Sequence, residues 1–327
     1  MNHSYDSPAR AALKRLCTLL GVVLAVMLCV TFYTAQLLDQ GDYTRIRDIP
    51  RSALKMPELD LQEYIVKLQS KPIGGFGSDL INVLLVGQDH REGEDTARSD
   101  SIILCTYQKK TKTLVMTSFL RDLYVPIPGH GSNRISAAYA NGGLDLLEET
   151  LTQNFNLSIN GGIEADFSQF SEIIDLVGGV TIDLRQDEAD FINAEAGSTL
   201  TEGSQTLDGE QALLYSRIRN LDADGDFSRT QRQRKNLSAL VDHFQSASLP
   251  ELLQLVEDLM PMISTNLSKL QLLTLAMDVL PDLSQIQVVS QTVPAPGTYT
   301  DQTIDGMAVL EADTEAIRDF LAASLLP

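Results

Sequence analysis

The sequence is poor in the residues that build disulfide frameworks and zinc sites. It has 3 cysteines in 327 residues. Cys17 and Cys29 lie in an apolar N-terminal run and Cys105 lies in a predicted buried strand, so no disulfide framework is indicated. The 4 histidines are His3, His90, His130 and His243. They form no H-E-x-x-H motif and no cluster with cysteine, which argues against a zinc site.

Positive charge is also scarce, with 25 Lys and Arg against 44 Asp and Glu and a formal net charge of -19. Such an acidic surface repels the phosphate backbone and argues against general nucleic-acid binding. Any anionic ligand must therefore meet a local basic pocket. The sequence contains no G-x-x-x-x-G-K-[ST] loop and no G-x-S-x-G elbow, so neither a P-loop nucleotide site nor a serine hydrolase is supported.

One long uncharged run, residues 16–38, reads LCTLLGVVLAVMLCVTFYTAQLL. As a helix it is long enough to cross the roughly 30 Å hydrocarbon layer of a membrane. Cationic residues precede the run and aspartates follow it, so the positive-inside rule predicts a cytoplasmic segment at 1–15. A cleaved signal peptide is the alternative, but the run is longer than a usual h-region and no clear cleavage site closes it. We therefore predict a signal anchor, a single-pass protein of the cell membrane with its C-terminal part outside the cell.

Residues 39–79 are polar and mixed, with several prolines and a glycine-rich end, and predict an extracellular stem. Residues 80–327 show no repeat and no break in composition. They predict one α/β domain, a mixed central β-sheet covered by helices. Near-continuous apolar runs predict a strand at 81–87 and a hairpin at 101–118. Further strands are predicted at 180–184 and 286–291, and helices at 144–155, 167–177, 207–218, 227–244, 251–260, 268–280 and 313–325.

A basic stretch, residues 215–235, reads YSRIRNLDADGDFSRTQRQRK and stands out in this acidic chain. Arg217 and Arg219 are followed by an acidic turn with Asp222, Asp224 and Asp226, and then by Arg229, Arg232, Gln233, Arg234 and Lys235. The planar guanidinium group suits bidentate binding of phosphate oxygens, and several converging groups suit a pyrophosphate. The alternative reading of such a mixed charge run is a solvated, salt-bridged helix face.

The loop after the first predicted strand carries acidic residues. The strand delivers Asp89 just past its carboxyl end, where open α/β sheets place their ligands. The chain returns through Arg98 and Asp100, and Arg121 follows the third predicted strand. Two carboxylates on loops beside adjacent strands can approach one point and hold a hard divalent cation together with phosphate oxygens. Alone, each loop also reads as a solvated turn, but together they indicate a phosphate-handling site with Mg²⁺.

Seven motifs resemble those of the LytR-CpsA-Psr (LCP) family in order and approximate spacing. They are LLVGQDHR, ARSDSI, SFLRDLYVPIPG, RISAAYANGG, DLVGGVTIDL, LDGEQALLYSRIR and DGDFSRTQRQRK. The resemblance covers essentially all of residues 80–327. It implies a Mg²⁺-dependent phosphotransferase that moves a glycopolymer from a polyprenyl-pyrophosphate carrier to peptidoglycan, forming a phosphodiester outside the membrane.

Carried over by motif, the resemblance assigns the metal to Asp89 and Asp100, and catalysis to these two residues with Arg98 and Arg121. It assigns pyrophosphate binding to Arg98, Arg121, Arg217, Arg219, Arg229 and Gln233. Leu120 stands where the family usually has proline, and Ser136 with Ala137 stands where it has an asparagine-histidine pair. Arg134 replaces a lysine and keeps the charge, so it is retained as a pyrophosphate-binding candidate.

Alternatives from other classes remain open at this point. The same site could cleave the pyrophosphate with water as acceptor, which would make the protein a hydrolase. A non-catalytic or regulatory protein that binds lipid phosphates in the envelope would need the metal pair less. For the transferase, Asp89 is the preferred general base, and a deprotonated acceptor or a metal-bound route is the alternative. The sequence specifies neither the polymer nor the wall sugar that accepts it.

Overall fold

The computed structural model describes residues 79–89, 98–247 and 249–325, which belong to the same compact unit of the chain. The predicted cytoplasmic segment, transmembrane helix and stem up to residue 78 lie outside the described residues. So do residues 90–97 of the loop after Asp89. Among the helices that are described, none is both long and apolar enough to cross a membrane.

The described chain begins with five consecutive strands, and strands and helices then alternate from residue 136 to residue 217. The strands are β1 (Leu80–Asp89), β2 (Arg98–Gln108), β3 (Thr113–Phe119), β4 (Tyr124–Ile127), β5 (Gly131–Arg134), β6 (Gly161–Asp166), β7 (Val180–Leu184), β8 (Gly203–Leu207), β9 (Ser264–Thr265), β10 (Gln287–Val293), β11 (Tyr299–Ile304) and β12 (Met307–Ala312). The helices are α1 (Ser136–Phe155), α2 (Phe167–Leu176), α3 (Gln186–Ala196), α4 (Gly209–Arg217), α5 (Asp226–Ser246), α6 (Leu249–Leu259), α7 (Lys269–Val279) and α8 (Thr314–Leu325). Short 3-10 helices lie at Met260–Met262 and Leu280–Gln285.

A mixed sheet in the order β10-β3-β2-β1-β6-β9 forms the centre of the described region. The pairs β1–β2 and β2–β3 are antiparallel, whereas β1–β6 and β3–β10 are parallel. The predicted α/β fold with a mixed central sheet covered by helices is confirmed. The predicted first strand and hairpin are confirmed as well, since β1, β2 and β3 cover their ranges.

Both faces of the sheet are buried, which is why β1 reads as a continuous apolar run. Leu84 and Val86 point into one core cluster that contains residues of α1 and α8. Ile81 and Val83, with the opposite parity, belong to a cluster with the segment before β10. A separate apolar cluster holds α4 and α5 against β7 and β8 around the fully buried Tyr215. The two helices that carry the basic stretch therefore have a core of their own.

Helix α1 begins at Ser136, eight residues before the predicted start at 144. Gly142 and Gly143 interrupt the helix with non-helical backbone angles, and Gly143 has a φ of 62°. The prediction began after these glycines because the helical periodicity of apolar residues is clear only there. The β4–β5 hairpin, at Tyr124–Ile127 and Gly131–Arg134, was not predicted, because its short strands carry little apolar alternation.

Candidate anion-binding site

The site lies beyond the carboxyl ends of β1 and β6, which run parallel to each other. The backbone pairs Asp89 at the end of β1 with Arg98 at the start of β2. The side chains of Asp89 and Arg98 lie outside the described part of the structure, so their predicted roles stay predictions. Ligands of open α/β sheets bind at this edge.

A β-bulge sets the direction of Asp100. Gly87 pairs with Ser101 while the next residue, Gln88, pairs with Ser99, so Asp100 is an extra residue in β2. A bulge bends its strand locally and re-aims the side chain of the inserted residue. Gly87 leaves room for this bend, because a Cβ atom there would lie 3.1 Å from the Cβ of Ser101.

Three predicted arginines meet at Asp100. Its Oδ1 accepts a hydrogen bond of 2.6 Å from Nη1 of Arg121, which follows β3. Its Oδ2 lies 3.6 Å from Nη2 of Arg219, in the connection from α4 to α5. Its backbone oxygen accepts a 3.5 Å hydrogen bond from Nη2 of Arg229, in the first turn of α5. Segments that are distant in the sequence thus bring Asp100, Arg121, Arg219 and Arg229 together.

Asp226 is a second carboxylate at the same point, and the sequence analysis did not assign it a role. One oxygen lies 3.6 Å from Nε of Arg121 and 3.3 Å from Nη2 of Arg229, and the other lies 4.0 Å from Nε of Arg219. Burial raises the pKa of Asp226. The positive charges of Arg121 and Arg219 oppose this shift, whereas nearby aspartates add to it. Its position three residues before Arg229, at the start of a basic helix, was the available signal.

Arg134 lies on another side of the same site. Its Nε is 3.2 Å from Oδ1 of Asp122, and it also donates a 2.9 Å hydrogen bond to the backbone oxygen of Ala308. Asp122 Oδ2 in turn lies 3.7 Å from Nε of Arg121. The retained charge at position 134 therefore faces the same acidic cluster as the other arginines.

These groups border a cavity of about 420 Å³. The charged residues that line it are Asp100, Arg121, Asp122, Arg134 and Arg219. The start of α1 contributes only the small side chains Ser136, Ala137 and Ala140. The residues that replace the family's asparagine-histidine pair therefore leave open space beside the charged groups.

Several buried polar atoms of the site lack a hydrogen-bond partner within the described structure. Arg229 is 2% exposed, yet neither its Nε nor its Nη1 has a hydrogen-bond partner among the described residues. The same is true of Nε of Arg121 and of Oε1 of Gln233, one helical turn after Arg229. Because an unsatisfied buried polar group is costly and rare, these atoms indicate a bound ligand that supplies the missing oxygens and donors.

Arg217 lies apart from these contacts. Its guanidinium carbon is 4.8 Å from the centroid of the Phe167 ring, at the start of α2, which is a cation–π arrangement. It is not among the described residues that line the 420 Å³ cavity. Its predicted role in pyrophosphate binding stays a prediction.

A larger cavity of about 660 Å³ lies elsewhere in the described structure. It is bordered by the end of α2 at Asp175, the end of β8 at Leu207 and the start of α4 at Gln211. None of the predicted site residues lines it. Cavity size alone therefore does not locate the anion site, whereas the converging arginines do.

The donor set is compatible with Mg²⁺. No cluster of three or more His, Cys, Asp or Glu suited to a metal is present in the described residues. Mg²⁺ is, however, usually bound through one or two carboxylates plus substrate phosphates. Asp100 and Asp226 both contact Arg121 and Arg219, and their mutual repulsion contributes to the raised pKa of Asp226. A divalent cation held with a phosphate ligand would relieve that repulsion.

We expect Asp226→Asn to bind a soluble pyrophosphate diester about tenfold more tightly than the wild type in buffer containing EDTA. The carboxylate competes with the ligand for Arg121, Arg219 and Arg229, and its removal also lowers the local negative charge. Isothermal titration calorimetry measures the Kd of the diester for each protein. In the wild type, affinity should rise as the pH falls through the raised pKa of Asp226, because the neutral acid no longer competes.

The variant supplies the control for the pH dependence. Affinity of Asp226→Asn should vary little over the same range, since the diester itself keeps a constant charge there. Equal pH profiles for the variant and the wild type would show that Asp226 does not compete with the ligand.

Comparison with known proteins identifies a family to which the sequence is similar. The model of the LytR_cpsA_psr family matches residues 59–324. The polyisoprenyl-teichoic acid--peptidoglycan teichoic acid transferase TagT of Bacillus subtilis (strain 168) is 38% identical over 200 residues, covering 59% of this chain and 62% of TagT. The corresponding TagU of Oceanobacillus iheyensis is 40% identical over 180 residues, covering 52% of this chain and 53% of TagU. The matches thus span less than two thirds of these relatives.

Solved structures show the same fold. The chain is similar to a structure described as TagT bound to LIIa-WTA, with a TM-score of 0.63 and 30% identity, covering 76% of this chain and 92% of that one. A second is described as LytR-CPS2A-psr family protein YwtF (TagT) with bound octaprenyl pyrophosphate lipid. It gives a TM-score of 0.59 and 28% identity, with the same coverage.

Proposed function

This chain belongs to the LytR_cpsA_psr family, and we propose that it transfers a glycopolymer from a polyprenyl-pyrophosphate carrier to peptidoglycan. The observation that carries this proposal is the convergence of Arg121, Arg219 and Arg229 on Asp100, with buried donors of Arg229 that lack a partner in the described structure. Relatives named as teichoic acid transferases support the choice of substrate class.

Phosphoryl transfer asks a protein chiefly for positioning and charge neutralisation. The guanidinium groups of Arg121, Arg219 and Arg229 would hold the pyrophosphate oxygens and the charge that develops on the leaving polyprenyl phosphate. A hydroxyl of the wall sugar attacks the phosphorus that carries the glycopolymer. A P–O bond forms to that hydroxyl oxygen, and the bond between this phosphorus and the bridging oxygen breaks.

A carboxylate must accept the hydroxyl proton. The sequence favours Asp89, whose side chain lies outside the described structure. Of the described carboxylates, Asp100 is engaged with Arg121 at 2.6 Å. Asp226 has a raised pKa and is therefore the better proton acceptor of the two.

Mg²⁺ is part of the proposal. The resemblance assigns it to Asp89 and Asp100, and Asp226, which shares Arg121 and Arg219 with Asp100, adds a further oxygen donor. When bound, the ion would supply charge neutralisation at the phosphate oxygens. The arginines and carboxylates of this chain would orient the substrate around it.

We also propose that residues 16–38 anchor the protein in the cell membrane with the α/β domain outside the cell. This topology would bring the site to a lipid-linked donor at the outer membrane surface and to peptidoglycan. Sequencing the N terminus of the mature protein tests the anchor. Loss of the first 35 or so residues would identify a cleaved signal peptide instead.

A ligation assay tests the activity. The full chain in detergent is incubated with a labelled glycan on a polyprenyl pyrophosphate and with uncrosslinked peptidoglycan, with Mg²⁺ or with EDTA. We expect label on peptidoglycan, an equal amount of released polyprenyl phosphate, and loss of both in EDTA. Label released as free glycan would identify a pyrophosphate hydrolase, and no turnover with intact lipid binding would identify a non-catalytic binder.

A further inference from the structure

Arg234 is a buried cation that the proposed mechanism does not use. It lies in α5, is 6% exposed and donates a 2.6 Å hydrogen bond from Nη1 to the hydroxyl of Ser118 in β3. Its Nε has no hydrogen-bond partner among the described residues, and none of their carboxylates forms an ion pair with it. The neighbouring buried arginines differ, since Arg229 pairs with Asp226 and Arg232 pairs with Glu188.

Burial of such a group without a counter-charge is unfavourable. A charge in a low-dielectric interior loses its hydration, and a single hydroxyl does not replace it. Burial lowers the pKa of Arg234 to about 10, so the group still carries its charge at neutral pH. A neutral side chain of similar length would fill the same space at lower cost, so packing alone does not account for an arginine here.

The position of Arg234 relates it to the anion site. Ser118, which accepts this hydrogen bond, lies near the end of β3, the strand that Arg121 follows. Along α5, Arg234 follows Arg229 by five residues, a rise of roughly 7.5 Å. Arg229 and Arg234 are both buried, and a charge in a protein interior is screened far less than in water.

The charge balance of the site shows what Arg234 adds. The described ion pairs of the site join the guanidinium groups of Arg121, Arg134, Arg219 and Arg229 to the carboxylates of Asp100, Asp122 and Asp226. These groups leave one positive charge. A pyrophosphate diester carries two negative charges, one on each phosphate. The charge of Arg234 raises the positive total of these described groups to two.

We propose that Arg234 is an affinity-determining residue of the anion site that acts through its unpaired buried charge rather than by contact with the ligand. This inference rests on the proposed function, because it assumes a pyrophosphate diester as the ligand. In the absence of Mg²⁺, it assigns to Arg234 the second positive charge that balances the two negative charges of the ligand.

Titration of the full chain in detergent with uridine diphosphate glucose, a soluble pyrophosphate diester, tests the proposal in buffer containing EDTA. We expect Arg234→Gln to raise Kd about tenfold, in line with the loss of one unit charge several ångströms from the ligand at an effective dielectric constant of about 20. Arg234→Lys, which keeps the charge, should bind within about twofold of the wild type.

Thermal stability separates this role from a purely structural one, because substitution of a residue with a purely structural role would lower Tm. Because Arg234 has no carboxylate partner in the described structure, Arg234→Gln should have a Tm equal to or above that of the wild type. Lys110→Gln removes the same charge from an exposed side chain in the turn between β2 and β3 and should leave Kd unchanged.

The possible results separate this inference from the proposed function. Wild-type affinity for the diester together with unchanged affinity in Arg234→Gln overturns the role of Arg234 alone. Absence of binding by the wild type overturns the pyrophosphate site itself. Failure of both Arg234→Gln and Arg234→Met to fold also contradicts the inference, because loss of an unpaired buried charge should not destabilise the fold.

Discussion

Arg121→Gln should lower the kcat of glycopolymer transfer by about a hundredfold or more. Arg121 contacts more carboxylates than any other described residue of the site, namely Asp100, Asp122 and Asp226. It is therefore held in place before the substrate binds. Removal of one preorganised donor from a site of developing negative charge typically costs about 2.7 to 4 kcal/mol, which corresponds to a 100- to 1,000-fold loss of rate.

A matched substitution controls for the loss of charge. Arg318→Gln removes a guanidinium group that donates to the backbone oxygens of Asn154 and Gln153 at the end of α1. Its turnover should equal that of the wild type. Initial rates in the ligation assay give kcat, and circular dichroism confirms that Arg121→Gln is folded. A kcat for Arg121→Gln within about threefold of the wild type would remove Arg121 from the site.

Glu188→Ala should lower the free energy of unfolding by about 3 to 5 kcal/mol, the usual cost of breaking a buried ion pair by removing one partner. Glu188 is 2% exposed, and its Oε1 accepts a 2.8 Å hydrogen bond from Nε of Arg232. Its Oε2 accepts from the backbone nitrogen of Arg185. Without Glu188, the buried guanidinium of Arg232 keeps its contacts with Asp222, with the backbone oxygen of Ile218 and with the ring of Tyr215.

The adjacent residue provides the control. Asp187 is in the same helical turn, but 48% of its side chain is exposed and it pairs with the exposed Arg185. Asp187→Ala should therefore cost at most about 1 kcal/mol. Guanidinium chloride unfolding followed by circular dichroism gives both values. Equal losses for the two variants would contradict the assignment of Glu188 to a buried ion pair.

A double substitution separates the charge from the packing. Glu188→Met with Arg232→Met should recover much of the stability lost in Glu188→Ala, because paired apolar replacements leave no uncompensated charge in the interior. The same ion-pair network also supports the anion site, because Arg232 donates hydrogen bonds to Asp222 and Ile218 in the segment that carries Arg219. We therefore expect the double variant to be stable and yet less active than the wild type.

The sequence predicts correctly those strands and helices whose signal lies within the element itself or in the residues next to it. The apolar runs of β1, β2 and β3 reflect burial on both faces of the sheet. Helix α2 begins with a capping box in which Asp166 accepts from the backbone of Gln169, and α4 begins with the same arrangement at Asp208 and Gln211. Such signals lie within a few residues of the element that they start, so a sequence reveals them.

The candidate site could be predicted only in part. Residue types and their order indicated Asp100, Arg121, Arg219 and Arg229, and the family resemblance added Arg134; the structure brings all five to one cavity or to its border. Arg217 has the same sequence context as Arg219, yet it lies on Phe167. Only Ile218 separates them in the chain, and the end of α4 at Arg217 turns their side chains to different neighbours.

The sequence by itself determined that this chain has an acidic surface, a mixed α/β sheet and a concentrated set of arginines and aspartates suited to phosphate. Only the tertiary structure decided which charges neutralise one another. Arg229, Arg232 and Arg234 lie within six residues of one helix, yet one meets Asp226, one meets Glu188 and one meets only a hydroxyl. The physical reason is that a buried charge takes its partner from whichever segment packs against that face of the helix, and those segments are far away in the sequence.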